Sequence, residues 1–282
     1  ILLEPIQFND PVISMAVEPK RIQDQEKMLD VLVKLSEEDP SFKFKEDEET
    51  GQIIISGMGE LHLEIAIDRM KREYGLEANQ GKPQVVYRET ITKPVEVEKV
   101  FDRELGGQQH FAGVKMMLSP LPRGTGGRFV DRCSTPDINE EFLGAIKQGI
   151  EEASTSGSLM GYPVIDVEAA LLGVQFNDTS STMAFSVVSS LAFREACEAA
   201  KSTLLEPIMS TEILIPEDFM GEVIGDLNAR QGKIEEITSK GPIQVLMASV
   251  PLSKMFGYST ALRSVSQGRG TFTMQFRRYD VV

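Results

Sequence analysis

Tryptophan is absent, and cysteine and histidine occur only twice each. Cys133 and Cys197 are far apart and form no C-x-x-C pair, which excludes a disulfide framework. They read as reduced thiols of a cytoplasmic protein. No signal peptide opens the chain, and no apolar run is long enough to span a bilayer. The opening ILLEPIQFNDPVIS has no initiator Met and reads as the middle of a longer polypeptide. Positive charge is scarce: 29 Lys and Arg face 43 Asp and Glu, a net charge of −14, which on its own argues against nucleic acid.

The charge is unevenly spread, at −7 over residues 1–88, −6 over 89–205 and −1 over 206–282. Residues 251–282 carry Lys254, Arg263, Arg269, Arg277 and Arg278 against Asp280 alone. A local basic face can therefore meet phosphate while the whole chain stays acidic. With 282 residues, 41% of them hydrophobic, the chain can build two or three domain cores.

The first segment alternates strand and helix patterns. Residues 12–18 read as a strand, and 22–37 as a helix with Met28, Val31, Leu32 and Leu35 on one side, closed by Asp39-Pro40. Strands follow at 41–47 and 52–56 around a Glu49–Gly51 turn, then a helix at 59–74 and a last strand at 84–88. This β-α-β-β-α-β order is the split unit of a ferredoxin-like domain. The last segment repeats it: strand 208–215, helix 217–230, strands 233–238 and 243–250, a partial helix in 252–266 and strand 270–278. The piece between them predicts strands near 94–103 and 111–119, a Gly/Pro-rich 120–127, a helix at 139–155 and a buried strand at 163–173. A long helix over 181–200 carries apolar Met183, Val187, Leu191 and Phe193. Polar hairpin tips fall at 106–110 and 175–180. The fold class is α+β, two ferredoxin-like βαββαβ domains flanking a central α/β domain.

Chemistry is best sought in IIISGMGELHLEIAIDRMKREYG, residues 53–75. On a helix, Glu60 and Glu64 fall about 160° from His62, so the three do not converge on a metal. Leu63, Ala66, Ile67, Met70 and Tyr74 form an ordinary core stripe. Leu61 and Ile65, beside His62 and Arg69, lie on the opposite side, which marks a second contact face. GLEANQGKP, residues 75–83, fails as a phosphate loop: it is one residue too long, and Pro83 stands where a hydroxyl should be. GMGELH lacks the third glycine of a dinucleotide turn, and no G-x-S-x-G elbow occurs. His110, in a glycine-flanked tip, reads as a surface contact. In LRSVSQGRGTF, residues 262–272, Ser264, Ser266 and Gln267 are donors and two glycines permit close approach, the makings of a phosphate cradle.

ISMAVEPK (13–20), LSEEDPSFKF (35–44), ETGQIIISGMGELHLEI (49–65), EANQGKPQVVYRETI (77–91), GYPVIDVEA (161–169), MGEVIGDLNARQGKIE (220–235), VPLSKMFGYSTALRS (250–264) and QGRGTFTMQF (267–276) resemble elongation factor G along nearly the whole chain. The resemblance implies the C-terminal half of that factor. Residues 1–8 would be a linker, 9–88 the third domain, 89–205 the fourth or tip domain, and 206–282 the fifth. It also implies a monomeric cytoplasmic ribosome-dependent translocase. Its GTP and Mg²⁺ would belong to a GTPase domain outside this sequence, with no cofactor, catalytic residue or metal here and no membrane contact. Leu61, His62, Ile65 and Arg69 would face the GTPase domain. Gly106, Gly107, Gln108, Gln109, His110, Phe176, Asn177 and Asp178 would face tRNA and mRNA in the A site. Lys254, Arg263, Ser264, Gln267 and Arg269 would face ribosomal RNA, with ribosomal proteins as further partners.

The tips depart from the family pattern. LGGQQHFAGV (105–114) stands where the family reads close to SGGRGQYGHV, and QFNDTSSTMAF (175–185) where it reads close to YHDVDSSEMAF. These departures keep open a specialised paralogue serving ribosome recycling or ribosome protection. A remote alternative is an unrelated enzyme on ferredoxin-like domains, against which stands the absence of any acid/base or nucleophile grouping.

Overall fold

The computed structural model describes residues 10–46, 52–133 and 138–281. The expected linker at 1–8 and the turn at Glu49–Gly51 lie outside the described residues.

The first segment runs β1 (Ile13–Pro19), a 3-10 turn, α1 (Gln25–Glu38), β2 (Lys43–Glu46), β3 (Ile53–Gly57), α2 (Glu60–Tyr74), β4 (Ala78–Gln80) and β5 (Gln84–Val85). The sheet order is β2-β3-β1-β4, all antiparallel, with β5 adding to β1. Alternate residues of β1 and β3 are buried, as are Met28, Val31, Leu32 and Leu35 of α1 and Leu63, Ala66, Ile67 and Met70 of α2. One face of the sheet is thus covered by two amphipathic helices. The last strand differs from the expected 84–88. Gly75 closes α2 in the left-handed region (φ 61), so the chain turns back early and β4 pairs Val17 with Gln80. Pro83 has no N–H for a ladder, and beyond it only Gln84–Val85 pair with β1.

Next come β6 (Arg88–Ile91), β7 (Val95–Leu105), β8 (Gln108–Pro120), β9 (Arg128–Asp131), α3 (Glu140–Ser154), β10 (Val167–Gln175), α4 (Thr182–Ala199) and β11 (Ser202–Pro216). The four-stranded sheet has the order β7-β8-β10-β9, with β9 parallel to β10. Its core joins Val114, Met116 and Leu118 of β8 to Ala169 and Leu171 of β10, Ile146 and Ile150 of α3, and Phe185, Val188 and Phe193 of α4. The strand expected at 163–173 begins only at Val167, because Asp166 adopts φ 57 and interrupts the extended run. β6 and β9 carry no legible alternation in the sequence and are additional to the expected elements.

The face α4 turns inward also differs from expectation. Ala184, Phe185, Val188, Ala192, Phe193 and Ala196 are buried, whereas Met183, Val187 and Leu191 are 44%, 36% and 43% exposed. The inner face mixes Ala184, Ala192 and Ala196 with Phe185, Val188 and Phe193, and α3 approaches it closely: a Cβ on Gly149 would lie 2.3 Å from the Ser186 carbonyl oxygen.

The remaining elements are a 3-10 turn at Glu217–Phe219, α5 (Met220–Ala229), β12 (Lys233–Lys240), β13 (Ile243–Pro251), a second 3-10 turn at Leu252–Lys254, α6 (Tyr258–Val265) and β14 (Thr271–Asp280). Their sheet order, β12-β13-β11-β14, repeats that of the first segment. The first four residues of β11 pair with β6, and Ile208–Pro216 pair with β13. The described residues up to Val86 and Glu206–Arg278 form one compact unit; Tyr87–Leu205 and the residues from Tyr279 form the other.

Gly149→Ala is expected to destabilise the second unit by about 3 kcal/mol, since a backbone carbonyl must give way. Gly144→Ala, on the same helix with nothing within 4 Å of its added Cβ, should be neutral or stabilising by up to ~1 kcal/mol. Thermal unfolding of the two variants checks both.

Candidate functional site

In the tip domain the β7–β8 turn is built from Gly106 and Gly107, at φ 61 and 79. Two successive residues with positive φ are what a tight two-residue hairpin needs. Gln108 and Gln109 are exposed, and the Gln109 amide donates to the Asp102 carboxylate. His110 Nδ1 lies 2.9 Å from Ser181 Oγ, and the Phe111 N–H donates to the Thr179 carbonyl at 3.3 Å. These contacts hold the two tips side by side at one end of the domain.

The second tip is shaped by its own side chains. Asn177 Oδ1 accepts from the Thr179 N–H at 2.8 Å and the Thr179 hydroxyl at 2.7 Å, while Ser180 Oγ accepts from the Asn177 N–H at 2.9 Å. Such an Asx turn fixes the backbone without glycine. Asp178 is exposed at its apex. Phe176 is 40% exposed; its ring lies 6.4 Å from Phe142, which in turn packs 4.7 Å from buried Phe185. Ser181 Oγ accepts from the Ala184 N–H at 3.2 Å, capping α4 at the same place. Neither 106–110 nor 175–181 contains Lys or Arg. The tips can therefore offer amide, hydroxyl and ring contacts and the Asp178 carboxylate, but no Lys or Arg.

On α2, Leu61 and Ile65 are 67% and 51% exposed, one turn apart. Arg69 continues the stripe, held by Glu73 (2.9 Å) and by Glu38 of α1 (2.7 Å). His62 is only partly exposed and is occupied on both ring nitrogens. Nδ1 accepts from the Met58 N–H at 3.0 Å, and Nε2 lies 3.1 Å from Asp39. From the third position of the helix it reaches back to the preceding turn, as a capping-box side chain does. Partial burial raises the Asp39 carboxyl, but the Ser41 hydroxyl and N–H, with His62, together hold it below the ordinary carboxylate value. The sequence grouping of these four residues resolves into two exposed apolar side chains and two polar ones tied within their own domain.

In the C-terminal segment Lys254, Arg263, Ser264, Gln267 and Arg269 are all exposed. The Arg269 guanidinium sits 4.6 Å above the Phe219 ring. One feature of the expected cradle and one of the basic C-terminal stretch are corrected. Ser266 is buried, donating to the Leu262 carbonyl at 2.6 Å and accepting from the Gly270 N–H at 2.8 Å, so it holds the turn rather than a ligand. Gly270 is glycine because a Cβ would lie 2.7 Å from Ser266 Oγ. Arg277 is paired with Glu235 and Ser249 and so is not a free cation of that face.

Two carboxylates escaped the sequence reading. Glu89 is fully buried and accepts from the backbone N–H groups of Leu159 (3.0 Å), Met160 (2.8 Å) and Tyr162 (3.1 Å). Gly157 admits that carboxylate, since its Cβ would lie 2.1 Å from Glu89 Oε2. The loop so fixed exposes Leu159 and Met160, at 50% and 65%. Glu168, 5% exposed, is bracketed by Arg128 and Arg132. No sequence spacing announces either set. Among the described residues no three His, Cys, Asp or Glu side chains gather as metal ligands, and no helix is long and apolar enough to cross a membrane.

Three family models tile the chain in order: Elongation Factor G, domain III, over residues 8–82; Elongation factor G, domain IV, over 83–201; and Elongation factor G C-terminus, over 203–282. A crystal structure of a Thermus thermophilus protein designated ttk003000868 is similar at 35% identity and a TM-score of 0.76, covering 98% of this chain and 42% of that one. The chain thus spans less than half the length of that protein. With three consecutive domains matched in order from end to end, the chain belongs to the elongation factor G family and carries its domain III, domain IV and C-terminal domain.

Proposed function

We propose that this chain is the ribosome-binding part of an elongation factor G-type translation factor, supporting GTP-dependent movement of tRNA and mRNA. The observation that carries the proposal is the pairing of the two tips through His110–Ser181 and Phe111–Thr179 on a rigid sheet-and-helix support. A paired tip of amides, hydroxyls, one ring and a single carboxylate, without Lys or Arg, suits a surface that meets nucleotides by shape and hydrogen bonding rather than by phosphate pairing. Lys254, Arg263 and Arg269 supply cations for ribosomal RNA, and exposed Leu61 and Ile65 supply an apolar face for the GTPase domain of the full-length protein. GTP and Mg²⁺ would act in that domain; no step of their chemistry is assigned to residues of this chain. Cytoplasmic location and a monomeric state belong to the same reading.

The domain boundaries proposed are 9–88, 89–205 and 206–282, the outer two ferredoxin-like. The shared strand order, β2-β3-β1-β4 and β12-β13-β11-β14, with two helices each, supports that assignment. A second reading, a paralogue specialised for ribosome recycling or protection, is favoured by one feature. An apolar Phe176 stands in the tip where the family pattern has a histidine. An unrelated ferredoxin-like enzyme finds no support in any grouping of side chains among the described residues.

Co-sedimentation with ribosomes across a salt series tests the proposal: the chain should pellet at low salt and be released steeply as salt rises. Absence of binding at every salt contradicts it. In the full-length protein, single-round translocation set beside subunit splitting separates the two readings, and splitting without translocation selects the second. Phe176→Ala should lower whichever activity is observed while moving the melting temperature by no more than ~2 °C, because the ring is only half covered. A drop of ~8 °C or more would make Phe176 a core residue instead.

A further inference from the structure

The two edges of the tip-domain sheet carry opposite charge. β7, at one edge, holds Glu96, Glu98, Asp102 and Glu104 against Lys99 and Arg103. At the other edge, β9 and its flanking residues hold Arg123, Arg128 and Arg132 against Asp131. The β7 edge is thus net acidic and the β9 edge net basic, while neither tip carries a Lys or Arg.

Two of these arginines are built into a fixed pair. Arg128 of β9 lies directly opposite Glu168 of the parallel β10. Strand alternation puts both on the sheet face opposite Phe129, Ala169 and Leu171, which belong to the helix-covered core. Arg128 grips Glu168 Oε2 through Nε at 3.0 Å and through Nη2. Arg132 takes Glu168 Oε1 through Nη2 at 2.6 Å. Both guanidinium groups are therefore tethered to one carboxylate, 5% exposed beneath them, while their own side chains remain 61% and 48% exposed. The Nη1 groups of both make no hydrogen bond among the described residues. Arg123 is different: it is a quarter exposed, donates to Thr90 Oγ1 at 3.1 Å and lies 3.9 Å from Asp166, so it serves the fold.

An exposed edge strand needs charge to deter other strands, but single lysines suffice for that. A nearly covered carboxylate that orients two outward guanidinium groups does more. It removes the freedom that a long side chain must otherwise lose on binding, and it presents planar donors suited to oxyanions two at a time. We infer that the Arg128–Glu168–Arg132 set is a preorganised contact for the phosphate backbone of RNA, and that this edge supplies the tip domain's electrostatic contact with RNA while the tips supply none. The inference rests on the ribosome-binding reading for its setting, though not for its chemistry.

The test measures binding of the whole chain to a short RNA duplex across a salt series. Arg128→Gln, Arg132→Gln and Glu168→Gln are combined so that no buried carboxylate is left unpaired. The triple variant should lose about tenfold or more in affinity at low salt. Its log–log salt slope should become shallower by about 1.8, on ~0.9 per phosphate contact. Arg128→Lys with Arg132→Lys should keep the slope and lose part of the affinity, which separates charge from fork geometry. Glu96→Gln with Glu98→Gln, on the opposite edge, should not weaken binding. An unchanged slope in the triple variant, or no duplex binding by the unaltered chain, overturns the inference. A larger loss toward a phosphoserine peptide than toward the duplex also overturns it, in favour of protein recognition. Ribosome pelleting run alongside keeps the two ideas apart. Pelleting with an unchanged slope sinks only the edge contact; a changed slope without pelleting sinks only the ribosomal setting.

Discussion

In each of the three modules two helices lie across one face of the sheet, and what the chain can offer a partner is what that layer leaves uncovered. The constraint is tightest in the tip domain, where α3 and α4 meet at Gly149 with no room for a Cβ beside the Ser186 carbonyl. Beside that crossing α4 turns Ala184, Phe185, Val188, Ala192, Phe193 and Ala196 inward and leaves Met183, Val187 and Leu191 outside. The helix starts at Ser181, whose hydroxyl caps it and also meets His110. Capping and tip pairing are therefore linked through one residue.

Buried carboxylates serve as struts. Glu89 satisfies three backbone N–H groups of the 159–162 loop, and Glu168 orients Arg128 and Arg132. A buried carboxylate is tolerated only when hydrogen bonds and opposite charge replace its lost hydration. In both cases the groups it holds, Leu159 with Met160 and the two guanidinium groups, point the purpose toward the surface rather than the core. The Arg128 hydrogen bond and charge keep Glu168 ionised below the ordinary carboxylate range despite its cover.

Much of the fold is legible because alternation and helical period are strong where burial is one-sided. Ile53 and Ile55 of β3, and Leu63, Ala66, Ile67 and Met70 of α2, announce their strand and helix directly. Legibility fails where a local conformation or a tertiary neighbour decides. Asp166 at φ 57 delays β10, Pro83 shortens β5, and β9 is four residues whose only signature is its pairing. On α4 apolar residues are spread around the helix, so composition does not tell that Met183, Val187 and Leu191 face outward while Phe185, Val188 and Phe193 face the core. The tips are legible as tips through Gly106 and Gly107, yet their pairing is not, because His110 and Ser181 lie far apart in sequence. Ser266 shows the converse: it reads as a ligand donor and is consumed by its own turn.

The central proposal is that this chain works by laying a shaped tip and separate cationic surfaces against ribosomal RNA. Directed hydroxyl-radical probing tests it most directly, with iron tethered at Asp178→Cys after Cys133 and Cys197 are replaced by serine. With the chain bound to ribosomes, the account predicts strand cleavage confined to small-subunit RNA around the decoding site. Cleavage elsewhere, or none from a chain that does bind, would contradict it.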